Sequence, residues 1–114
     1  MFLAALLLAA AQPQPLAGFY RSNQMEIGAA LQLDPDGHFQ YQLDYGAVSE
    51  AAEGSWTSDG SAVYLTSTKM IGEYKEPEFV KQPLPIDSGR LLLRRYDTLI
   101  RFELEELPAP ADKK

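Results

Sequence analysis

The sequence contains no cysteine and one histidine, His38, in 114 residues. The lack of thiols excludes a disulfide framework, thiolate metal sites, cysteine nucleophiles and the acylated cysteine of a bacterial lipoprotein. A lone imidazole without cysteine does not supply a zinc ligand set, so neither a metal nor a cofactor is expected. Positive charge is scarce as well: residues 1–60 hold seven acidic side chains against Arg21 alone, and the whole chain has a formal net charge of −6. Such a surface repels phosphates, which argues against nucleic acid as a partner. Long apolar runs are missing too. Phe2–Ala11 is unbroken for ten residues, about 15 Å as a helix and roughly half the hydrocarbon thickness of a membrane.

What is present describes one globular domain. At 46% hydrophobic and 23% charged, the chain can bury a core and is unlike a disordered tail or a collagen-like fibre. No charged side chain precedes Arg21, and Ala9 and Ala11 satisfy the small-x-small pattern of a secretory cleavage site. Residues 1–11 are therefore expected to be a signal peptide, 12–17 a linker, 18–106 a β-barrel domain and 107–114 a disordered tail. Export implies a periplasmic or secreted protein with no stable membrane anchor after cleavage.

Period-2 alternation dominates the rest. Phe39, Tyr41, Leu43 and Tyr45 alternate with polar residues, as do Ile27, Ala29, Leu31 and Leu33 before them. Between the runs lies Asp34-Pro35-Asp36-Gly37, in which Pro35 suits a type I turn and Gly37 the left-handed position after it. Placing Asp34 opposite His38 pairs Leu33 with Phe39, Leu31 with Tyr41, Ala29 with Leu43 and Ile27 with Tyr45. A one-residue slip would scatter that face. A second hairpin is expected from Gly54–Ser58 to Ser61–Ser67 around Asp59-Gly60, setting Trp56 against Val63 and Gly54, a gap for another ring, against Leu65. A third runs from Arg90–Tyr96 to Leu99–Glu105 around Asp97-Thr98, pairing Leu93 with Phe102 and Leu91 with Leu104. Gly18–Arg21 reads as an opening strand and Phe79–Gln82 as an edge strand beside Pro77, Pro83 and Pro85.

The total of seven or eight short strands joined by tight turns defines an all-β, antiparallel up-and-down meander. It is expected to close, or nearly close, into a barrel, with a small β-sandwich as the alternative. Closure hides edges that would otherwise aggregate.

Few residues suggest chemistry. His38 beside Asp34 reads as a solvated turn pair, since a general base needs a nucleophile and an orienter within reach. Asp34, Asp36 and Asp44 do not match a calcium loop; turn formation explains them. The third hairpin places Arg94 directly opposite Arg101 on the outer face, where like charges repel unless an anion sits between them or Glu103 neutralises them, helped by an Arg90–Glu105 pair. The segment Ser67–Glu78 is long for a connection and carries Met70, Ile71 and Tyr74 among polar residues, the composition of a loop that gates or plugs a barrel mouth. With Tyr41, Tyr45 and Trp56, these are the candidate ligand-binding residues.

The run Gly18-Phe19-Tyr20, Leu31-x-Leu33, Asp36-Gly37-x-Phe39-x-Tyr41, Tyr45, Gly54-x-Trp56 and Val63-x-Leu65 resembles small secreted bacterial β-barrel proteins of lipocalin-like or calycin type. It is distantly similar to the amino-terminal barrel of copper-homeostasis and envelope-stress lipoproteins. The resemblance implies a lipocalin-like barrel; lacking Cys-x-x-Cys and a lipid-attachment cysteine, the chain carries over neither a thiol metal role nor an anchor. Gly54-Ser55-Trp56 is similar to the Gly-x-Trp of lipocalins, but sits on about the fourth strand rather than the first.

The functional expectation is an exported, non-enzymatic binding module. It would hold a small apolar or amphipathic molecule in the barrel, or a protein partner on the Met70–Tyr74 loop. The alternatives are a small hydrolase using paired carboxylates and an interaction protein without a ligand. Amino-terminal sequencing of the mature protein is expected to begin near Gln12; an intact Met1 on a cytosolic product would refute export.

Overall fold

The computed structural model describes residues 16–106, so the expected signal peptide and carboxyl-terminal tail lie outside the described residues. Eight strands follow in order: β1 (Gly18–Gln24), β2 (Ile27–Leu33), β3 (His38–Tyr45), β4 (Val48–Ser58), β5 (Ala62–Gly72), β6 (Gln82–Asp87), β7 (Arg90–Arg95) and β8 (Thr98–Glu106). Each pairs antiparallel with the next and β8 returns to β1, giving a closed up-and-down barrel. The sandwich alternative is thereby set aside. Leu16 and Ala17, just before β1, pack on the core, and Leu16 gives its carbonyl to the Tyr20 hydroxyl at 2.7 Å.

The first hairpin has the register that its turn and alternation dictate: Leu33↔Phe39, Leu31↔Tyr41, Ala29↔Leu43 and Ile27↔Tyr45. Asp34 N–H donates to His38 O at 2.8 Å, and Gly37 N–H, at φ 96°, donates back to Asp34 O at 3.0 Å. The imidazole pairs with Asp36 at 3.1 Å, not with Asp34.

The second and third hairpins depart from expectation by two residues. Trp56 lies opposite Leu65, Gly54 opposite Ser67 and Ser58 opposite Val63, and β4 and β5 are each far longer than the short arms expected. The cause is Asp59. Its carboxylate accepts the Ser61 and Ala62 amides at 3.0 and 3.1 Å and the Tyr64 hydroxyl at 2.9 Å, so residues 59–61 form a three-residue connection instead of a two-residue Asp-Gly turn. The Ser61 amide and the other donors hold this carboxyl down to about 2. In the third hairpin the turn is Tyr96-Asp97, both left-handed at φ 54° and 56°, and the pairs are Leu93↔Ile100 and Leu91↔Phe102. Because both slips are by two, the same side chains still point inward.

The expected edge strand at Phe79–Gln82 is also displaced. The strand is β6, and Pro83 and Pro85 lie within it. Ile86 N–H donates to Ser61 O across to β5 at 3.0 Å; amides alternate in direction along a strand, so positions 83 and 85 face β7. Proline has no N–H to give there, and the β6–β7 ladder holds Ile86↔Leu91 and Asp87↔Arg90 alone. Phe79 instead sits fully buried inside the barrel end.

Gly54 adjoins a register shift of the β-bulge kind between Glu53 and Gly54 of β4. Rather than leaving a gap for a ring, it lies against the β5 backbone: a Cβ there would overlap the Thr66 carbonyl oxygen and crowd the Ser67 Cα. Gly54→Ala should destabilise the barrel by about 3 kcal/mol or more, measured by urea unfolding. Ala30→Gly, on the outer face of β2, is the control and should cost about 1 kcal/mol or less.

Candidate functional site

Along β4 the inward row runs Trp56, Gly54, Ala52 and then Glu50; along β7 it runs Leu91, Leu93 and then Arg95. Both rows end on a charge at the same end of the barrel. Glu50 is 2% exposed and Arg95 4%. Arg95 Nε donates to Glu50 Oε2 at 2.6 Å and Nη2 to Oε1 at 3.3 Å. The Tyr41 hydroxyl donates to Oε2 at 2.8 Å and the Tyr96 hydroxyl to Oε1 at 2.7 Å. On the other side Arg95 Nη1 donates to Pro77 O at 2.9 Å, and its guanidinium lies 4.7 Å from the centre of the Phe79 ring.

Burying two charges costs several kcal/mol per ion, offset only when the pair is well oriented and its remaining donors and acceptors are met. Here they are: among the described residues no buried side-chain nitrogen or oxygen lacks a partner. Burial pushes the Glu50 carboxyl up, but the hydrogen bonds from Arg95, Tyr96 and Tyr41, with the charge of Arg95, outweigh it and hold the carboxyl below the usual range. For Arg95, burial disfavours the cation, yet Glu50 more than compensates and raises its pKa. Burial, then the Glu50 charge, pushes the Tyr41 phenol well upward. The centre thus keeps a carboxylate, a guanidinium and two protonated phenols. A general acid or base must exchange a proton near neutral pH, and this saturated set is built to hold its protons in place.

Of the six ligand-binding candidates, Tyr41 and Ile71 line one groove and the other four are not among its lining residues. Tyr41 belongs to the buried network, and Tyr45, half-buried, meets the Tyr96 ring edge-on at 6.4 Å. Trp56 fills the opposite end, its Nε1 donating to Asp34 O at 2.9 Å. Met70 is half-buried against the core, and Tyr74 is half-buried beyond the end of β5. Ile71 faces outward, 53% exposed. Met70 and Ile71 lie on β5 itself, so the loop is shorter than the segment Ser67–Glu78. Ile71 flanks an outer groove of about 360 Å³, floored by Ala30 and Ala51 and bounded by Phe19 and Gln42.

Arg94 and Arg101 do not oppose each other. Arg94 faces Leu99 and Arg101 faces Leu92, so the anion site inferred from their opposition loses its geometry. Arg90 reaches Glu103 at 3.9 Å, and Glu105 pairs with Arg21 at 3.0 Å rather than with Arg90. Among the described residues no three His, Asp or Glu side chains gather as a metal site.

Sequence reasoning missed Glu50, Arg95, Tyr96 and Phe79. For Arg95 the signal was available: alternation that puts Arg94 outside puts Arg95 inside, in line with Leu91 and Leu93. Comparison with family models, curated proteins and solved structures finds no match for the chain.

Removing one partner of the pair strands the other. Arg95→Met should lower unfolding free energy by about 3–5 kcal/mol, and adding Glu50→Leu should recover much of it. Since folding depresses the Glu50 pKa, its contribution is present above the unfolded value and is lost as pH falls through the folded one. Wild-type stability should therefore decline from roughly pH 4 downward. Glu50→Gln should flatten that part of the profile, measured by urea unfolding across pH.

Proposed function

We propose that the protein is an exported, non-enzymatic binding module that uses its barrel as a rigid frame and engages a protein partner at Met70–Tyr74 and the groove beside Ile71. The observation that carries this reading is a filled interior next to an exposed apolar outer site. Leu31, Leu43, Leu65, Leu91, Leu93, Ile100 and Phe102 have no exposed surface, as expected for an eight-stranded barrel packed with its own side chains. A small molecule in the lumen would have to displace them, which favours the outer surface.

There, Ile71 projects over a hollow created by two alanines, with the Phe19 ring on its far rim. An apolar projection beside a shallow hollow suits a partner that buries one side chain and covers another. The hydrolase reading gains no support from the described carboxylates, since Glu50 is sealed by four hydrogen bonds. A periplasmic or secreted setting follows from the amino-terminal sequence and is part of the same proposal.

Protein isolated from its own source should retain a second chain in native mass spectrometry. Ile71→Glu should lose that chain while the barrel's thermal unfolding stays the same. A retained small molecule with no second chain, or an Ile71→Glu variant that keeps its partner, overturns the assignment.

A further inference from the structure

Between Glu73, whose amide continues the ladder to Ser49 O at 2.9 Å, and Gln82, where β6 starts, the chain leaves the barrel wall. Residues 74–81 belong to no strand and run back alongside Ser67 and Thr66 of β5, set off by two left-handed positions, Gly72 at φ 104° and Lys81 at φ 50°. Their attachment differs from that of the strands. A single bond from this segment is backbone to backbone, Ser67 N–H to Phe79 O at 2.9 Å. The rest run through side chains: Phe79 N–H to Ser67 Oγ at 3.2 Å, Ser67 Oγ to Phe79 O at 3.3 Å, Lys81 N–H to Thr66 Oγ1 at 3.1 Å, Lys75 N–H to the Tyr96 hydroxyl at 2.9 Å, and Arg95 Nη1 to Pro77 O at 2.9 Å.

The segment also inserts its own apolar anchor. The Phe79 ring packs edge-on to Tyr41 at 5.0 Å, near Phe39 at 6.3 Å, and under the Arg95 guanidinium. Two of these attachments, the Pro77 carbonyl and the Phe79 ring face, depend on one guanidinium, which Glu50 orients. A third, at Lys75, depends on Tyr96, whose hydroxyl is also fixed by Glu50.

We propose that residues 74–81 form a strap that opens and closes as one unit, with the Glu50–Arg95 pair as the latch that sets its opening equilibrium. Swinging the strap away breaks no strand ladder. It withdraws Phe79 and uncovers the Phe39 and Tyr41 rings, at lower cost than unfolding the wall. Segments anchored by few backbone hydrogen bonds are the ones that open below the global free energy. This inference goes beyond the outer docking site and stands whether or not a partner binds there.

Native-state hydrogen exchange on the full chain tests it. In the wild type, the Lys75, Phe79 and Lys81 amides should share one opening free energy with weak urea dependence, while Leu31 and Tyr41 exchange by the steep, global route. Tyr96→Phe, which removes one hydroxyl, should speed all three strap amides by a common factor, and Arg95→Met should speed them about tenfold or more. Acceleration of Lys75 alone in Tyr96→Phe overturns the single unit. Strap amides with the urea dependence of Tyr41 overturn the opening, a result readable in the wild type even if Arg95→Met fails to fold. Unchanged strap exchange in a folded Arg95→Met overturns the latch.

Discussion

Because β8 closes on β1, each strand has one row of side chains inside and one outside, and the inside of an eight-stranded barrel is too narrow to be left to water. That constraint orders the rest of the molecule. Apolar residues fill the inward rows of β2 and β3 and, as far as Arg95, that of β7, and the register shift in β4 falls at Gly54, where the β5 backbone takes the place of a side chain. Wherever a polar group enters the interior, it must bring its partners with it. Trp56 meets this demand with a turn carbonyl at one end; Glu50 and Arg95 meet it with each other at the other end.

The position of the ion pair follows from what closes that end. A strand pairs its own backbone groups, but a crossing segment brings carbonyls that no ladder satisfies. Pro77 O is one, and Arg95 supplies its donor. A hydrophobic residue at position 95 would pack equally well against Phe79 but would leave that carbonyl without its protein donor. Glu50 then neutralises the guanidinium, and Tyr41 and Tyr96 complete the carboxylate. The polar centre is thus tied to the irregular segment above it, and its chemistry is that of a fastening, with protons held firmly instead of exchanged.

The first hairpin was legible in the sequence because Pro35 and Gly37 fix the turn and leave one register that keeps both apolar rows together. The second and third were legible in face but not in register. At Asp59 a carboxylate gathers two backbone amides, and at Tyr96 a hydroxyl reaches a buried glutamate 46 positions away; pairing arithmetic sees neither. Phe79 was misplaced for a related reason. A ring in a proline-rich stretch reads as the start of a strand, whereas tertiary contact with Phe39, Tyr41 and Arg95 draws it out of the wall. Glu50 was the hardest to see, since small and polar residues surround it and β4 shows no strong apolar alternation before Trp56. Arg94 and Arg101 come opposite each other only in a register two residues away from the one observed.

The outer site and the strap meet at one place in the chain. Ile71 is the last outward side chain before Gly72, and Tyr74 is the first residue of the strap, so the proposed docking residues straddle the point where β5 gives way to it. Gly72 takes a left-handed conformation with its Cα facing the Ser49 carbonyl, a position where a Cβ would clash with backbone. The turn into the strap is therefore fixed by main-chain geometry, while the strap beyond is held mainly by side chains, with one backbone bond from Ser67 to Phe79. A partner that grips Ile71 alone touches the rigid wall and leaves the strap's equilibrium unchanged. One that also grips Tyr74 favours one strap position, and by linkage the strap position alters its affinity by the same free energy. If a partner docks here as proposed, the division between wall and strap would determine which contacts recognise it and which transmit its presence to the buried ion pair.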